Sequence, residues 1–242
     1  LRHGNSSLGS VCYNDTFETD FYSQLNLYTE RFKYSMDITE VDINRFLYLH
    51  QIEFKPYFKN LKMSCIEGKL VNAPFELRFL NPLMIMHSFA GWLSYITEEE
   101  KNWYGEEAHF CAYLCFLVEY NPIKNLRTYF NFSQTEIQWP WEQSSIPNGM
   151  GFQLGADYRW NGFYDGYWIL SGEAVYTNPW LYVKNGAEWS LYSHRDSKNF
   201  PNNWDDINSW IGLPEGPDCI GGKLKFSSVK YDKFEADVSW QF

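Results

Sequence analysis

The sequence predicts an all-β protein, an antiparallel up-and-down transmembrane β-barrel of roughly ten to twelve strands, complete in itself or part of a larger barrel. Three observations support this fold class. Apolar and polar residues alternate along many segments, which is the period of a strand. Turns rich in Asn, Asp and Gly separate these segments. Aromatic residues make up 20% of the chain, yet the mean hydropathy is −0.45.

The alternation is clearest in residues 150–160 and 234–242, where every second residue is apolar and most of the others are polar. A helix would scatter the charged residues around its axis, whereas a strand puts them on one face. We expect one set to face lipid: Phe152, Leu154, Ala156, Tyr158, Phe234, Ala236, Val238 and Trp240. We expect the other set to face the lumen: Gln153, Asp157, Arg159, Glu235, Asp237 and Gln241.

The chain divides into strand-like segments of about 9–13 residues, which suits tilted strands that cross a bilayer better than the ~5–6 residues of a sandwich strand. We predict one domain over residues 1–242, with residues 1–20 irregular and residues 194–222 a long loop. A short strand at 206–213 is the alternative for part of that loop. Tight turns and longer loops alternate elsewhere, as in barrels with short periplasmic turns and long external loops.

Composition excludes several functional classes. The 20 basic and 30 acidic residues give a net charge of −10, which argues against broad nucleic-acid binding. No apolar run approaches the ~18 residues of a transmembrane helix. The sequence contains no HExxH, GxSxG or Walker motif, so we predict no catalytic residue, metal or cofactor. A glycosidase would need two carboxylates facing one cleft.

Charged residues on the predicted inner face form the first candidate site. Arg159 and the acids Asp157, Glu173, Glu235 and Asp237 are expected to pair or to line water in the lumen, because unpaired charge in lipid is costly. The net charge favours cations in any pore that the barrel contains.

Tryptophans beside carboxylates form the second candidate site. A flat Trp face stacks on a sugar ring, and a neighbouring carboxylate accepts its hydroxyls. This pattern predicts polysaccharide binding by Trp139, Trp141 and Glu142, and by Trp204, Asp205, Asp206 and Trp210. The alternative is that Trp139 and Trp141 anchor the barrel at the membrane rim. Aromatic residues for such interface girdles are Trp92, Tyr95, Tyr158, Trp160, Trp180, Tyr182 and Trp240.

Four segments resemble a known family. Residues 80–92 (LNPLMIMHSFAGW), 129–137 (YFNFSQTEI), 172–183 (GEAVYTNPWLYV) and 212–218 (GLPEGPD) look like the succession in Wzi-like capsule-assembly outer-membrane proteins. The resemblance implies a non-enzymatic barrel in the bacterial outer membrane that binds or organises surface polysaccharide. Membrane lipid and lipopolysaccharide would surround it.

The terminal Phe242 closes an alternating strand and resembles the assembly signal of outer-membrane proteins. It predicts contact with the barrel assembly machinery. Two other functions stay open at this stage. One is a general porin-like channel, and the other is a soluble secreted carbohydrate-binding β-sandwich, which would bury the apolar face against a second sheet.

Overall fold

The computed structural model describes residues 10–13, 21–42, 44–58, 60–72, 74–82, 110–135, 147–162, 166–183, 190–199, 203–230 and 234–242. Its regular structure is almost entirely β. The strands are β1 (Phe21–Tyr28), β2 (Phe32–Asp42), β3 (Arg45–Phe54), β4 (Leu61–Asn72), β5 (Phe110–Tyr120), β6 (Leu126–Gln134), β7 (Met150–Asn161), β8 (Tyr167–Thr177), β9 (Tyr192–Asn199), β10 (Asn203–Trp210), β11 (Cys219–Lys230) and β12 (Phe234–Gln241). A short 3₁₀ helix covers Leu77–Leu80. No helix in these ranges is long and apolar enough to cross a membrane.

Ten strands form one antiparallel sheet in the order β1 to β8, then β11 and β12. Each strand pairs with its neighbour along the chain, except that β8 pairs with β11. The predicted all-β, antiparallel, up-and-down arrangement is therefore confirmed. The remaining strands, β9 and β10, form a separate hairpin between β8 and β11.

The hairpin changes the description of residues 194–222, which we expected to be a long loop. They contain most of β9, all of β10 and the start of β11. The suggested strand at 206–213 overlaps β10 but does not join the main sheet. The hairpin sequences YSHRDSKN and NWDDINSW are polar on both faces, so they lack the apolar alternation that marked the other strands.

From β5 onward the main sheet exposes its apolar face and covers much of its polar face, whereas on β2 to β4 part of the apolar face, including Tyr48 and Val71, is buried with Phe79. On β7, Leu154 is 60% exposed, whereas Gln153 is 1% exposed. Cross-strand registers extend each face over the sheet: Leu154 pairs with Phe130 and Ala174, and Gln153 pairs with Asn131 and Val175. An ordinary one-sided sheet in water does the reverse, because its apolar side packs on the core.

The polar face curls inward over a buried cluster at one end of the sheet. Leu49 on β3 and Val175 on β8 belong to this single cluster, although five strand spacings, about 24 Å, separate these strands in a flat sheet. Residues from outside the sheet fill the space between them, and we call these residues the plug: Val11, Cys12, Leu181, Tyr182, Leu191, Ile211 and Leu213.

Hydrogen bonds join the parts of the plug to one another and connect the neighbouring residues 190 and 192 to the sheet. The Tyr182 hydroxyl donates to the Val11 carbonyl at 2.5 Å and accepts the Leu213 N–H at 3.1 Å. The Arg45 guanidinium on β3 donates to the carbonyls of Tyr192 and Ser190, at 2.6 and 2.7 Å. Three separate parts of the chain therefore converge on one end of the sheet.

The two ends of the sheet differ in their connections. One end carries the short turns at 29–31, 55–60, 121–125, 162–166 and 231–233. The other end carries the plug, the short connection at 43–44 and the longer connections at 73–109, 135–149 and 178–218. Phe242 follows β12 at this second end, where its backbone exchanges two hydrogen bonds with Gly222. The last residue of β12 and the long connections therefore lie on the same side.

Tyr182 provides a test of the plug. Burial raises the pKa of its phenol, so the hydroxyl stays protonated and able to donate. Tyr182→Phe leaves the Val11 carbonyl and the Leu213 N–H without this partner and should lower the free energy of unfolding by about 1–3 kcal/mol. Urea unfolding measures the loss. The control Tyr176→Phe alters a tyrosine that is 44% exposed and should change stability by less than about 0.5 kcal/mol. Equal effects of the two substitutions would contradict the role of Tyr182.

Candidate binding cavity on the polar face

A cavity of about 1090 Å³ lies on the polar face at the end with the short turns. Its walls include Asn60 from the β3–β4 turn, Asn121 and Asn125 from the β5–β6 turn, and side chains of β6, β7, β8 and β11. A single space bounded by so many neighbouring strands requires the sheet to curve around it. The plug closes the opposite end of the same face.

The described lining of the cavity carries more positive than negative side chains. The basic residues are Lys124, Arg127, Arg159 and Lys225, and the acidic residues are Asp157 and Glu173. These residues lie on one face because strand alternation and the registers align them: Asp157 pairs with Arg127 and Ser171, and Ser171 pairs with Lys225. The net charge of the described lining is therefore positive, whereas the net charge of the whole chain is negative.

Most charged groups of the cavity already have partners. Arg127 holds Asp157 with two contacts to the same oxygen, from Nη2 at 2.5 Å and from Nε at 2.8 Å. Lys225 Nζ lies 2.7 Å from Asp237 Oδ2. Both acids accept hydrogen bonds from charged donors, which are stronger than neutral hydrogen bonds. The two pairs tie β6 to β7 and β11 to β12.

Tyr129 and Gly155 form a joint across three strands. Tyr129 on β6 pairs with Gly155 on β7, which pairs with Glu173 on β8. The Tyr129 ring crosses above Gly155, and its hydroxyl donates to Glu173. A Cβ at position 155 would lie 2.1 Å from Tyr129 Cζ. Only glycine leaves room for the ring, so the joint depends on both residues.

Arg159 differs from the other basic residues of the cavity. Its guanidinium carbon stacks 3.9 Å from the centre of the Tyr167 ring. Its backbone N–H donates to the Asn125 carbonyl at 2.9 Å, which places the β5–β6 turn beside β7. In the described ranges, no carboxylate lies within ion-pair distance of Arg159 or of Lys124 in that turn.

The structure brings together part of the charged set that the sequence suggested. Asp157, Arg159 and Glu173 line the cavity, and Asp237 pairs with the cavity residue Lys225. The sequence suggested that these acids lie around Arg159, but in the structure they have other partners. Asp157 binds Arg127, and Glu173 accepts a hydrogen bond from Tyr129. Glu235 lies opposite Val229 in the register, and its side chain is outside the described part.

The tryptophan set is less completely described. Trp139, Trp141 and Glu142 lie outside the described residues. Trp204, Asp205 and Asp206 occupy β10 opposite Lys198, Ser197 and Asp196, and their side chains also lie outside the description. Trp210 packs beside the plug, with ring-centre distances of 4.8 Å to Tyr192 and 6.2 Å to Tyr182. It is therefore remote from the cavity.

One aromatic assignment is wrong. Tyr182 was a candidate for the interface girdle, but it is completely buried in the plug. The chain leaves the sheet after Thr177, the last residue of β8, so the two-residue alternation no longer applies at position 182. Sequence analysis also missed Arg127, Tyr129 and Lys225. Their positions on the polar face follow from strand parity, but their convergence depends on register.

The described residues contain no group of three or more His, Cys, Asp and Glu side chains placed to hold a metal ion. Comparisons with protein-family models, curated proteins and solved structures find no match to this chain. The resemblance to Wzi-like proteins therefore stays a prediction. The chemistry of the cavity has to be argued from its own geometry, which offers hydroxyls, amides and charged groups for binding.

Gly155→Ala tests the joint at the cavity wall. The new methyl group forces the Tyr129 ring away from Glu173 and should cost about 1–3 kcal/mol of stability, as overpacking usually does. Thermal unfolding measures the change. Gly172→Ala is the control in the neighbouring strand, since a Cβ there meets Leu224 Cδ1 at an ordinary 3.8 Å. Adding Tyr129→Ala to Gly155→Ala should recover part of the loss, and a purely additive result would argue against the joint.

Proposed function

We propose that the chain is an outer-membrane β-barrel protein that binds surface polysaccharide and takes part in its assembly without catalysing a reaction. The observation that carries the proposal is the inverted sheet, whose apolar face is exposed on β5 to β8, β11 and β12 and whose polar face carries the cavity. Lipid is the environment that favours an exposed apolar face, and barrels in outer membranes have apolar exteriors and polar interiors.

An aromatic band on the apolar face supports membrane insertion. Phe116, Phe132, Phe152 and Tyr176 lie side by side on β5 to β8, with successive ring-centre distances of 6.5, 5.2 and 6.4 Å. Exposure continues beyond them: Ile220 is 79% and Val238 73% exposed. A soluble β-sandwich would bury this face, and within the described residues no second sheet covers it. Contiguous apolar surface of this kind is rare on soluble monomers.

The registers are compatible with closure of the ten-stranded sheet by pairing of β1 with β12. Phe242 pairs with Gly222 on β11. Following the register pairs from Gly222 across the next seven strands leads to Phe32 on β2, beside the β1–β2 turn. The two edges therefore meet only after a shift along the strand. A shift of about ten residues gives a strand tilt near 36°, as in barrels whose shear equals their strand number.

That closure pairs Leu27 with Phe234 and Leu25 with Ala236. Both pairs join residues of the apolar faces, so closure keeps the two faces separate. It also satisfies the edge backbone groups, which lipid does not solvate. The even strand number makes β1 and β12 antiparallel neighbours, as an up-and-down barrel needs.

Cysteine cross-linking tests the closure. Leu25→Cys combined with Ala236→Cys should form a disulfide in micelles, because paired strand residues bring their Cβ atoms within disulfide reach. Mass spectrometry of the linked peptide detects it. Gln24→Cys with Ala236→Cys is the control, since positions 24 and 236 lie on opposite faces. No cross-link at 25 and 236, or an equal one in the control, would refute this closure.

The plug favours a binding protein over a general channel. Tyr182, Leu181 and Leu213 are fully buried there, so an apolar barrier fills one end of the enclosed space. The cavity lies on the other side of this barrier. A porin-like function would need a continuous aqueous path, which makes it the weaker of the two proposals.

Orientation separates two of the original expectations. If the long connections are external, Phe242 lies at the external end, because β12 ends beside them. Recognition of Phe242 by assembly machinery at the periplasmic end requires the opposite orientation. The two expectations exclude each other in this topology. The proposal keeps the long connections outside, where Trp139, Trp141 and Glu142 could meet polysaccharide.

Paired tryptophan substitutions test the polysaccharide role. Trp139→Ala with Trp141→Ala should lower the polysaccharide retained per folded molecule, because the stacking faces are removed. Retention on cells and stability of the purified barrel are measured together. Trp240→Ala, a 64% exposed residue of the apolar face, is the control and should leave retention unchanged. If the double variant loses stability and keeps native retention, these tryptophans are membrane anchors.

A further inference from the structure

We infer that the cavity binds an anionic carbohydrate, with the carboxylate or phosphate of the sugar on Arg159 and with Lys124 at the rim. The inference rests on the proposed polysaccharide function. With the long connections outside, the cavity faces the periplasm, so its ligand is polysaccharide on that side of the membrane. The inference concerns a site distinct from the tryptophan loop, since the cavity lies at the end with the short turns.

The first step is the charge that stays unbalanced. Arg127 binds Asp157, and Lys225 binds Asp237. Glu173 accepts from Tyr129 and lies directly opposite Lys223 in the register. The described acids of the cavity thus have basic or hydroxyl partners, whereas Arg159 and Lys124 have no described carboxylate within ion-pair distance.

The second step is the geometry of Arg159. Its guanidinium stacks on Tyr167 at 3.9 Å, which holds the plane and leaves its N–H edge available. A planar guanidinium edge fits a carboxylate or phosphate with two parallel hydrogen bonds. The bond from the Arg159 N–H to the Asn125 carbonyl, 2.9 Å long, places Lys124 in the adjacent turn. The two cations therefore border one cavity.

The third step is the remaining lining. Asn60, Asn121 and Asn125 supply amides, and Ser171 and Ser227 supply hydroxyls. Amides and hydroxyls both donate and accept, as sugar hydroxyls require. The cavity volume of about 1090 Å³ reaches the upper end of the roughly 300–1,000 Å³ found for small-ligand pockets. It has room for more than one sugar unit.

Calorimetry on the full chain in micelles tests the inference with three probes: hexagalacturonate, neutral maltohexaose and glucose 6-phosphate. Hexagalacturonate should bind more tightly than maltohexaose, and added salt should weaken the binding of hexagalacturonate. Arg159→Gln should lower its affinity about 10-fold or more, because a charged hydrogen bond is lost. Arg159→Lys keeps the charge without the planar edge, so its affinity for hexagalacturonate should lie between those of the unsubstituted protein and of Arg159→Gln. Tighter binding of glucose 6-phosphate with the same Arg159 dependence would also support the site and identify phosphate as the anion.

Arg31→Gln is the matched control. Arg31 also stacks on a tyrosine, with its guanidinium carbon 3.7 Å from the Tyr57 ring centre, but it does not line the cavity. It should leave the affinity for hexagalacturonate unchanged. Circular dichroism verifies that every variant is folded. An equal loss in Arg31→Gln and Arg159→Gln would refute a specific role for Arg159.

Two outcomes overturn the inference and separate it from the proposed function. Equal affinity for hexagalacturonate and maltohexaose, unaffected by Arg159→Gln, removes the preference for anions. Absence of binding by both anionic probes removes the site. If the barrel nevertheless closes and retains polysaccharide on cells, the proposed function stands and only the cavity assignment fails. Loss of closure and retention would instead refute the proposed function, whatever the cavity binds.

Discussion

Burial of much of the polar face is the constraint on which the rest of this structure depends. A polar group that is removed from water needs a hydrogen-bond partner, since leaving it unpaired costs about 1–3 kcal/mol. Gln153 shows how the sheet meets this need: its Oε1 accepts from Asn131 Nδ2 at 2.9 Å and from the Val11 N–H at 3.4 Å. Thr177 similarly donates to the Gly216 carbonyl and accepts from the Cys219 N–H, both at 3.0 Å. These bonds connect neighbouring strands to the segments that cover them.

The same constraint divides the polar face into two chemical regions. At one end the polar face becomes apolar, with Leu47, Leu49 and Leu70 packed against the plug. At the other end it keeps its charges, and some of them are satisfied by ion pairs such as Arg127–Asp157. A glycine beneath an aromatic ring occurs in both regions, as Gly68 with Tyr113 and Gly155 with Tyr129. At each position the absence of a Cβ leaves room for a ring to lie across the strand.

Sequence patterns could predict the strands and their faces but not how the strands combine. Alternation in residues 150–160 assigned Leu154 and Gln153 to opposite faces, and the structure places them so. The alternation of apolar and polar residues carries no information about register, so the pairing of Arg127 with Asp157 could not be foreseen.

β9 and β10 were not predicted as strands because both of their faces are polar. Tyr182 was wrongly assigned to the interface girdle because the sequence around it resembles a strand, whereas in the structure this residue belongs to the plug. Net charge misled in a similar way: it is −10 for the chain, yet the described residues of the cavity lining include four basic and two acidic ones.

The composition of the plug has a consequence for how the chain reaches its native state. Val11 and Tyr182 are separated by 171 residues, and Arg45 and Ser190 by 145. Contacts at such distances along the chain require a large loss of entropy before they give any stabilisation, and proteins rich in them fold slowly. During synthesis the segment around Val11 emerges long before its partners exist. Until residue 182 is available, the apolar groups around Val11 stay unprotected, which makes early protection from aggregation a requirement of this topology.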